Sequence, residues 1–325
     1  MKKINMSESK KRELRIVYMG TPDFAVAGLK SLLEHNYHVV GVITAPDRPA
    51  GRGQQLRESA IKQFALKNNI KVLQPTNLKA QEFVEELKSL KANLQVVVAF
   101  RMLPKVVWQM PEYGTFNLHA SLLPQYRGAA PINWAIINGE EETGVTTFFI
   151  DEKIDTGAMI LQEKIKIGST TTAGELHDQL MQLGANAILS TVKQIENNTV
   201  STTLQSEKGE LKPAHKIHKD TCKIDWSWPL EKIYNHIRGL SPYPAAWTAF
   251  ENGDVLTTLK IFSVEKELKD HNHPNGVLIG SKKSLKVAVA DGYLNLLEIQ
   301  LAGKKRMKVS QILNGLSLAE NAKFC

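Results

Sequence analysis

The chain has 325 residues, of which 42% are hydrophobic and 23% charged, so it is long enough for two globular domains. Its two cysteines form no CxxC pattern and its histidines form no cluster at metal-ligand spacing, which argues against a disulfide framework and a structural zinc site. Of the formal net charge of +8, residues 1–207 carry +2 and residues 208–325 carry +6, which suits either a module that binds RNA or DNA or a solvated basic surface.

Residues 1–14 are expected to form a disordered leader. They are charged and lack the apolar core of a signal peptide. No stretch of the chain approaches the roughly 20 apolar residues that are needed to cross a bilayer. We therefore expect a cytoplasmic protein.

Strands and helices alternate between residues 15 and 195. Apolar runs predict strands at 15–20, 38–44, around 72, 94–99, 114–118, 146–150 and 158–164. Helical spacing of apolar residues predicts helices at 24–33, 59–67, 81–88 and 173–195. Residues 45–53, rich in Pro, Gly and Arg, are predicted to form a loop. This alternation predicts an α/β fold with a doubly wound, mostly parallel, Rossmann-like sheet, in a catalytic domain over residues 1–205.

The polar residues 206–216 are predicted to link this domain to a second one, over residues 217–325. Apolar spacing at 230–237 predicts a helix. Five short strands are predicted at 247–250, 257–264, 277–279, 285–290 and 293–300. Strands of this length and spacing predict a small OB-like β-barrel, a fold that binds oligonucleotides.

The segment Phe116-Asn-Leu-His-Ala-Ser-Leu-Leu-Pro-Gln-Tyr-Arg-Gly128 contains the strongest candidates for catalysis. Asn117 and His119 alternate on a predicted strand, so their side chains project from the same face. An amide donor beside a group that exchanges protons near neutral pH could stabilise the oxyanion of an acyl transfer. Asp155, in a predicted loop, could reach His119 and support it. Asn-x-His can equally be a structural pair at a strand end, and Asp before Gly is ordinary turn chemistry.

Together these residues resemble the active site of the formyltetrahydrofolate-dependent formyltransferases. The resemblance implies that Asn117, His119 and Asp155 are the catalytic trio. It implies that a turn contacts the folate, and this turn consists of Ser121, Leu122, Leu123 and Pro124. Other segments narrow the resemblance to the branch of the family that acts on initiator methionyl-tRNA: residues 20–25, 46–53, 129–132, 142–146, 224–226 and 302–307.

The resemblance also implies the substrates and partners. The formyl donor would be 10-formyltetrahydrofolate as co-substrate, the acceptor would be the amine of methionine on initiator tRNA, and no metal would be needed. The arginine-rich loop would enter the acceptor end of the tRNA, and the basic turn of the second domain would contact phosphates. The RNA contacts expected on this basis are Arg48, Arg52, Arg57, Lys304, Lys305 and Arg306. A monomer is expected.

One segment departs from the family pattern. In the family, Ala-Tyr-Gly often follows the central strand and is itself followed by aliphatic residues and Pro. Here the corresponding segment, Ala99-Phe-Arg-Met-Leu-Pro104, is one residue shorter and has Arg101 where Gly is common. The departure leaves the trio intact and concerns the contacts of this loop with the pterin ring.

Three alternatives share most of these features. The chain could formylate a small amine such as a glycinamide ribonucleotide or an amino-sugar nucleotide, or it could hydrolyse the formyl-folate. Neither activity explains an arginine-rich loop together with a basic second domain. It could also be a non-catalytic RNA-binding protein, although the presence of Asn117, His119 and Asp155 together argues against this alternative.

Overall fold

The computed structural model describes residues 11–50, 55–281 and 283–325. Contacts divide the chain into two compact units. The first comprises Met1–Arg127, Gly144–Ile165 and Asp178–Pro213, and the second comprises Gly128–Thr143, Lys166–His177 and Ala214–Cys325. Most of the expected leader, residues 1–10, lies outside the described residues.

Through residue 196, strands alternate with helices as the sequence predicts. The strands are β1 (Arg15–Gly20), β2 (His38–Ile43), β3 (Arg48–Ala50), β4 (Gln55–Arg57), β5 (Val72–Leu73), β6 (Leu94–Val98), β7 (Thr115–His119), β8 (Glu142–Phe149) and β9 (Met159–Lys166). The helices are α1 (Phe24–Glu34), α2 (Ala60–Lys67), α3 (Gln81–Ser89), α4 (Lys105–Trp108), α5 (Pro131–Ile137) and α6 (Ala173–Glu196).

Seven of these strands form one mostly parallel sheet in the order β5-β2-β1-β6-β7-β8-β9. Strands β5, β2, β1, β6 and β7 pair in parallel, and β8 turns antiparallel to β7. Every residue of β6 is buried, as is typical of a strand covered on both faces. The strand order reverses between β1 and β6, and ligands of such sheets bind beyond the carboxyl ends of the strands near this reversal. The prediction of a doubly wound, mostly parallel sheet is confirmed.

The remaining elements build a barrel. They are a 3-10 turn (Asp220–Cys222), helices α7 (Leu230–Leu240) and α8 (Val309–Ile312), and strands β10 (Ala246–Asn252), β11 (Val255–Glu267), β12 (Leu278–Gly280), β13 (Leu285–Val289), β14 (Gly292–Leu301), β15 (Met307–Lys308) and β16 (Lys323–Phe324). The sheet runs β12-β13-β14-β11-β10-β16, with β15 beside β14. An antiparallel bridge between Val277 and Lys323 joins its two edges, so the barrel is nearly closed. The expectation of a small OB-like barrel is confirmed.

The barrel core is formed by inward-facing residues of the strands and by the buried face of α7. Trp226 belongs to this core: it is 5% exposed, lies 5.2 Å from the Phe324 ring, and donates its indole N–H to Thr248 Oγ1 at 2.9 Å. A buried tryptophan whose N–H has a partner is a packing residue, and it is not available to stack on a base.

Two details differ from the sequence-based expectation. Residues 48–50, which were predicted as part of a loop over residues 45–53, form a strand that pairs with a second short strand at residues 55–57. The two-residue strands β15 and β16 are too short to give any apolar alternation, so the sequence gives no sign of them. No helix within the described ranges is long and apolar enough to cross a membrane.

Candidate active site

Strand β7 carries both Asn117 and His119 at its carboxyl end. In the sheet, Asn117 lies between Val97 of β6 and Phe148 of β8. Alternation along the strand directs the two side chains to one face, as the sequence predicts. Asn117 is half-buried, whereas His119 is only 6% exposed. The two residues therefore stand next to the reversal of strand order, where this type of sheet binds its ligands.

The two ring nitrogens of His119 have different partners. Nε2 lies 2.8 Å from the carbonyl oxygen of Tyr126. A carbonyl oxygen can only accept a hydrogen bond, so Nε2 carries a proton and the neutral ring is left with Nδ1 as its acceptor. Nδ1 lies 3.8 Å from Asp155 Oδ2. Because the carboxylate faces the nitrogen that can take up a proton, it would stabilise the imidazolium that results.

Asp155 lies in the connection between β8 and β9 and is held in an uncommon backbone conformation. Its φ is +54°, in the left-handed region, which costs a non-glycine residue roughly 1–2 kcal/mol. Its side chain is 14% exposed. Two residues later, a Cβ on Gly157 would lie 1.7 Å from the carbonyl oxygen of Phe149, so only glycine allows the chain to pass there. The loop is thus shaped around the position of the carboxylate.

The turn that was predicted to contact folate is organised by one buried hydroxyl. Thr146 Oγ1 donates to the Ser121 carbonyl at 2.7 Å and accepts from the Leu123 N–H at 3.1 Å and from Gln162 Nε2 at 3.0 Å. These three bonds use the full capacity of a hydroxyl group. Gln162 Nε2 also donates to the Leu123 carbonyl at 2.8 Å. The Leu123–Pro124 peptide bond, which ends the turn, is cis.

Strands β3 and β4 of the arginine-rich segment form a hairpin, and Asp47 at its start is held by Lys62 and Gln74. Arg48 and Arg57 are opposite each other in β3 and β4, and both are exposed. Asp47, next to Arg48, binds Lys62 and accepts a 2.8 Å hydrogen bond from Gln74 Nε2. The hydrogen bonds from Lys62 and Gln74 lower the pKa of Asp47. Two like charges directly across a strand pair repel each other, so a bound anion would relieve the repulsion. Arg52 lies outside the described residues.

Arg101, the departure from the family pattern, is tied to the loop after β5. Its guanidinium donates to the carbonyls of Pro75 and Thr76 and lies 5.5 Å from the centre of the Phe100 ring. Partial burial and the charge of Arg48 lower its pKa. The residue that replaces the usual glycine therefore adds a further cation near Arg48 of the hairpin.

The basic turn of the barrel has two kinds of cation. Lys304 and Lys305 are exposed. Arg306 is paired with Glu298 and stacks 4.4 Å from the centre of the Phe262 ring. Part of the Arg306 charge is therefore already compensated within the unit, which makes the two lysines the stronger candidates for phosphate contacts.

Sequence reasoning missed the residues that hold the trio in place. The Tyr126 carbonyl, the Thr146 hydroxyl and the Gln205 amide each bind a predicted site residue or its neighbour. Tyr126 and Thr146 belong to segments that the family resemblance includes, which was the available signal. Gln205 lies beside the predicted linker, and nothing in its sequence surroundings marks it.

Comparison with known protein families identifies the class of the protein. The formyl transferase family profile matches residues 14–192, and the profile of the C-terminal domain of formyl transferases matches residues 216–317. The chain therefore belongs to the formyl transferase family and is an enzyme of that class. Two similar curated proteins are named methionyl-tRNA formyltransferase. The one from Flavobacterium johnsoniae is 57% identical over 96% of this chain and 99% of its own length, and the one from Bacteroides thetaiotaomicron is 54% identical over 97% and 99%.

Solved structures share the fold at lower identity. An N-formyltransferase from Helicobacter canadensis, solved with folinic acid and dTDP-3-aminofucose, has a TM-score of 0.62 and 20% identity, covering 89% of this chain and 99% of that one. HypX from Aquifex aeolicus, solved with tetrahydrofolic acid, has a TM-score of 0.63 and 16% identity, covering 93% of this chain and 47% of that one. At this identity the likeness supports the fold alone.

Proposed function

We propose that the protein transfers the formyl group of 10-formyltetrahydrofolate to the α-amino group of methionine on initiator tRNA, giving the N-formylmethionyl-tRNA that starts translation. Membership of the formyl transferase family supports the reaction class. The relatives at 53–57% identity over nearly the full chain support the acceptor, because they share both units with this protein and are named methionyl-tRNA formyltransferase. The observation that carries the chemistry is the pairing of His119 Nδ1 with the Asp155 carboxylate.

The reaction is an acyl transfer through a tetrahedral intermediate. The methionine amine attacks the formyl carbon, and the carbonyl oxygen becomes an oxyanion. The amide of Asn117 donates a hydrogen bond to this oxyanion, which is worth about 3 kcal/mol in comparable sites. The bond from the carbon to N10 of the folate then breaks, and N10 leaves with the proton that His119 first takes from the amine and then returns.

His119 moves the proton that the attacking amine loses. Its Nε2 is engaged by Tyr126, so Nδ1 is the atom that takes up this proton, directly or through a water molecule. The carboxylate of Asp155 stabilises the imidazolium. The positive charge that forms on the ring in turn stabilises the oxyanion. No step in this sequence needs a metal ion.

The donor binds along the turn Ser121-Leu122-Leu123-Pro124. Thr146 and Gln162 hold the backbone of this turn from the buried side. The backbone is thereby kept in one shape before the donor arrives, and binding does not have to order it.

The tRNA is bound by cations on both units. We assign Arg48 and Arg57 of the hairpin, and Arg52 from the sequence alone, as contacts of the first unit. On the barrel we assign Lys304 and Lys305, with Arg306 contributing less because of Glu298. Phosphate contacts of this kind make binding depend on salt.

We further propose that the protein acts as a monomer in the cytoplasm, where charged initiator tRNA enters translation.

The experiment that tests the proposal offers the protein one labelled donor and several acceptors. Labelled 10-formyltetrahydrofolate is incubated with methionyl-initiator tRNA, glycinamide ribonucleotide, a dTDP-amino sugar or no acceptor. We expect label on the tRNA at a kcat/KM at least 100-fold above that of either small amine. Transfer to a small amine alone, or release of formate with no acceptor, would overturn the proposed substrate. Binding of tRNA with no turnover of the donor would support the non-catalytic alternative.

A further inference from the structure

The polar segment formed by residues 203–212 lies beside the loops that contain Tyr126 and Asp155. Thr203 exchanges two backbone hydrogen bonds of 2.9 Å with Met159. Near its other end, the Lys212 N–H donates to Gln125 Oε1 at 2.8 Å and the Lys212 carbonyl accepts from the Tyr126 N–H at 2.6 Å. Both ends of the segment are therefore fixed to the first unit.

Gln205, between these two ends, has its side-chain amide fully bonded. Its Nε2 donates to the carbonyls of Asp155 and Gly157, at 2.9 Å in each case. Its Oε1 accepts from Arg127 Nε at 3.0 Å and from Arg127 Nη2 at 2.6 Å. The two hydrogens and the two lone pairs of the amide are thus all used. The orientation is unique, because a flipped amide would place N–H groups against the guanidinium and an oxygen against the two carbonyls.

This amide joins the two loops that orient the catalytic histidine. One loop contains Tyr126, whose carbonyl binds His119 Nε2 at 2.8 Å, and Arg127 is the next residue. The other loop contains Asp155, whose carboxylate lies 3.8 Å from His119 Nδ1. One of the two carbonyls that accept from Gln205 belongs to Asp155, whose φ of +54° lies in the left-handed region. A strained conformation persists only when surrounding contacts impose it, and Gln205 supplies two of them.

We propose that Gln205 is a positioning residue for the formyl transfer, which holds the Asp155 carboxylate opposite His119 through the backbone of the 155–157 loop. This inference rests on the proposed function, since it assigns Asp155 its role in the reaction. It goes beyond that function in assigning a part of the active site to a segment that otherwise has the composition of a linker.

Two variants distinguish the hydrogen bonds that Gln205 accepts from Arg127 from those that it donates to the 155–157 loop. Gln205→Met keeps the length of the side chain and its neutrality but removes all four hydrogen bonds. Gln205→Glu keeps the acceptor for Arg127 but cannot donate to the 155–157 loop. We expect both variants to lower kcat by about 10- to 100-fold, as a displacement of about 1 Å at a catalytic group does, with the KM of both substrates within about twofold of the wild type. Ser206→Ala, one residue along the same exposed segment, is the matched control and should retain the wild-type kcat.

A double-mutant cycle shows whether Gln205 acts through Asp155. Asp155→Asn alone should lower kcat, and adding Gln205→Met to it should lower kcat by less than about twofold more, because the carboxylate to be positioned is already absent. Additive effects would overturn the proposal. So would a Gln205→Glu variant with the wild-type kcat, since that result would assign the role to Arg127.

A substrate-free measurement keeps this inference separate from the proposed function. Hydrogen–deuterium exchange of the wild type and of Gln205→Met should show faster exchange of the 151–158 backbone in the variant. Unchanged exchange in this loop would overturn the positioning role. If the wild type failed to formylate methionyl-tRNA while the loop responded as expected, the proposed acceptor would be wrong and the role of Gln205 in holding the loop would stand.

Discussion

The buried hydroxyl of Thr146 provides a quantitative test of how the folate turn is held. Replacing Thr146 by Val keeps the shape of the side chain and removes three hydrogen bonds, to the Ser121 carbonyl, the Leu123 N–H and the Gln162 amide. A net contribution of about 1 kcal/mol for each of the three bonds gives about 3 kcal/mol, and the unpaired buried N–H on Leu123 adds at least about 1 kcal/mol, so we expect a destabilisation of about 4 kcal/mol.

The same change should loosen the turn before the donor binds. We expect the KM for 10-formyltetrahydrofolate to rise about tenfold, equivalent to about 1.4 kcal/mol, while the KM for methionyl-tRNA is unchanged. Urea unfolding gives the free energy of unfolding, and initial rates of formyl transfer at varied donor concentration give the KM.

Thr147→Val is the matched control. Thr147 is the next residue of the same strand and is equally buried, and its hydroxyl bonds the hydroxyl of Thr191 at 2.7 Å. This variant should lose about 1 kcal/mol of stability and keep the wild-type KM for the donor. An equal KM in the two variants, or a Thr146→Val protein as stable as the wild type, would refute the role assigned to the hydroxyl.

Three further predictions concern the loop, the oxyanion and the barrel. Gly157→Ala places a methyl carbon 1.7 Å from the Phe149 carbonyl oxygen and must displace Asp155, so single-turnover formyl transfer should slow by about 100-fold; a wild-type rate would contradict the loop geometry. Asn117→Ala should lower kcat by about 100-fold, close to 3 kcal/mol, with an unchanged KM for methionyl-tRNA in steady-state assays; a changed KM with an unchanged kcat would assign Asn117 to binding. Burial lowers the pKa of His236 to about 4 from 6.5, so the unfolded chain binds more protons between these values and stability should fall by up to about 3 kcal/mol as the pH drops from 7 to 4. Urea unfolding across this range should show a smaller pH dependence in His236→Gln, and equal slopes in the two proteins would contradict the assignment.

The fold could be predicted from the sequence because its strands are either fully apolar or clearly alternating. Strand β6 is buried along its whole length, as its mostly apolar, valine-rich sequence indicates. The barrel strands β10 to β14 were predicted for the same reason, whereas β15 and β16 are too short to show any alternation. Residues 48–50, the first strand of the hairpin, were predicted as part of a loop over residues 45–53, because the Pro and Gly residues there are typical of turns and the strand is only three residues long.

Asn117, His119 and Asp155 could be singled out as candidates because their side chains suit acyl transfer and two of them alternate on one strand. Their assignment as a catalytic trio came from the family resemblance. The contacts that support these residues could not be predicted from the sequence. Every residue has a backbone carbonyl, so the sequence does not show that the carbonyl of Tyr126 binds His119. Gln205 lies in a segment with no apolar periodicity, so its contact with the 155–157 loop could not be predicted either. Pairing across strands is equally invisible, so the partial neutralisation of Arg306 by Glu298 appears only in the folded barrel.

The measurement that tests the account most directly is the transfer of labelled formyl from 10-formyltetrahydrofolate to methionyl-initiator tRNA, with His119→Ala assayed beside the wild type. We expect label on the aminoacyl-tRNA with the wild-type protein, and a rate lower by at least about 1,000-fold in the variant with its binding of tRNA intact. Absence of label on the tRNA with the wild type, or transfer by His119→Ala at the wild-type rate, would contradict the account.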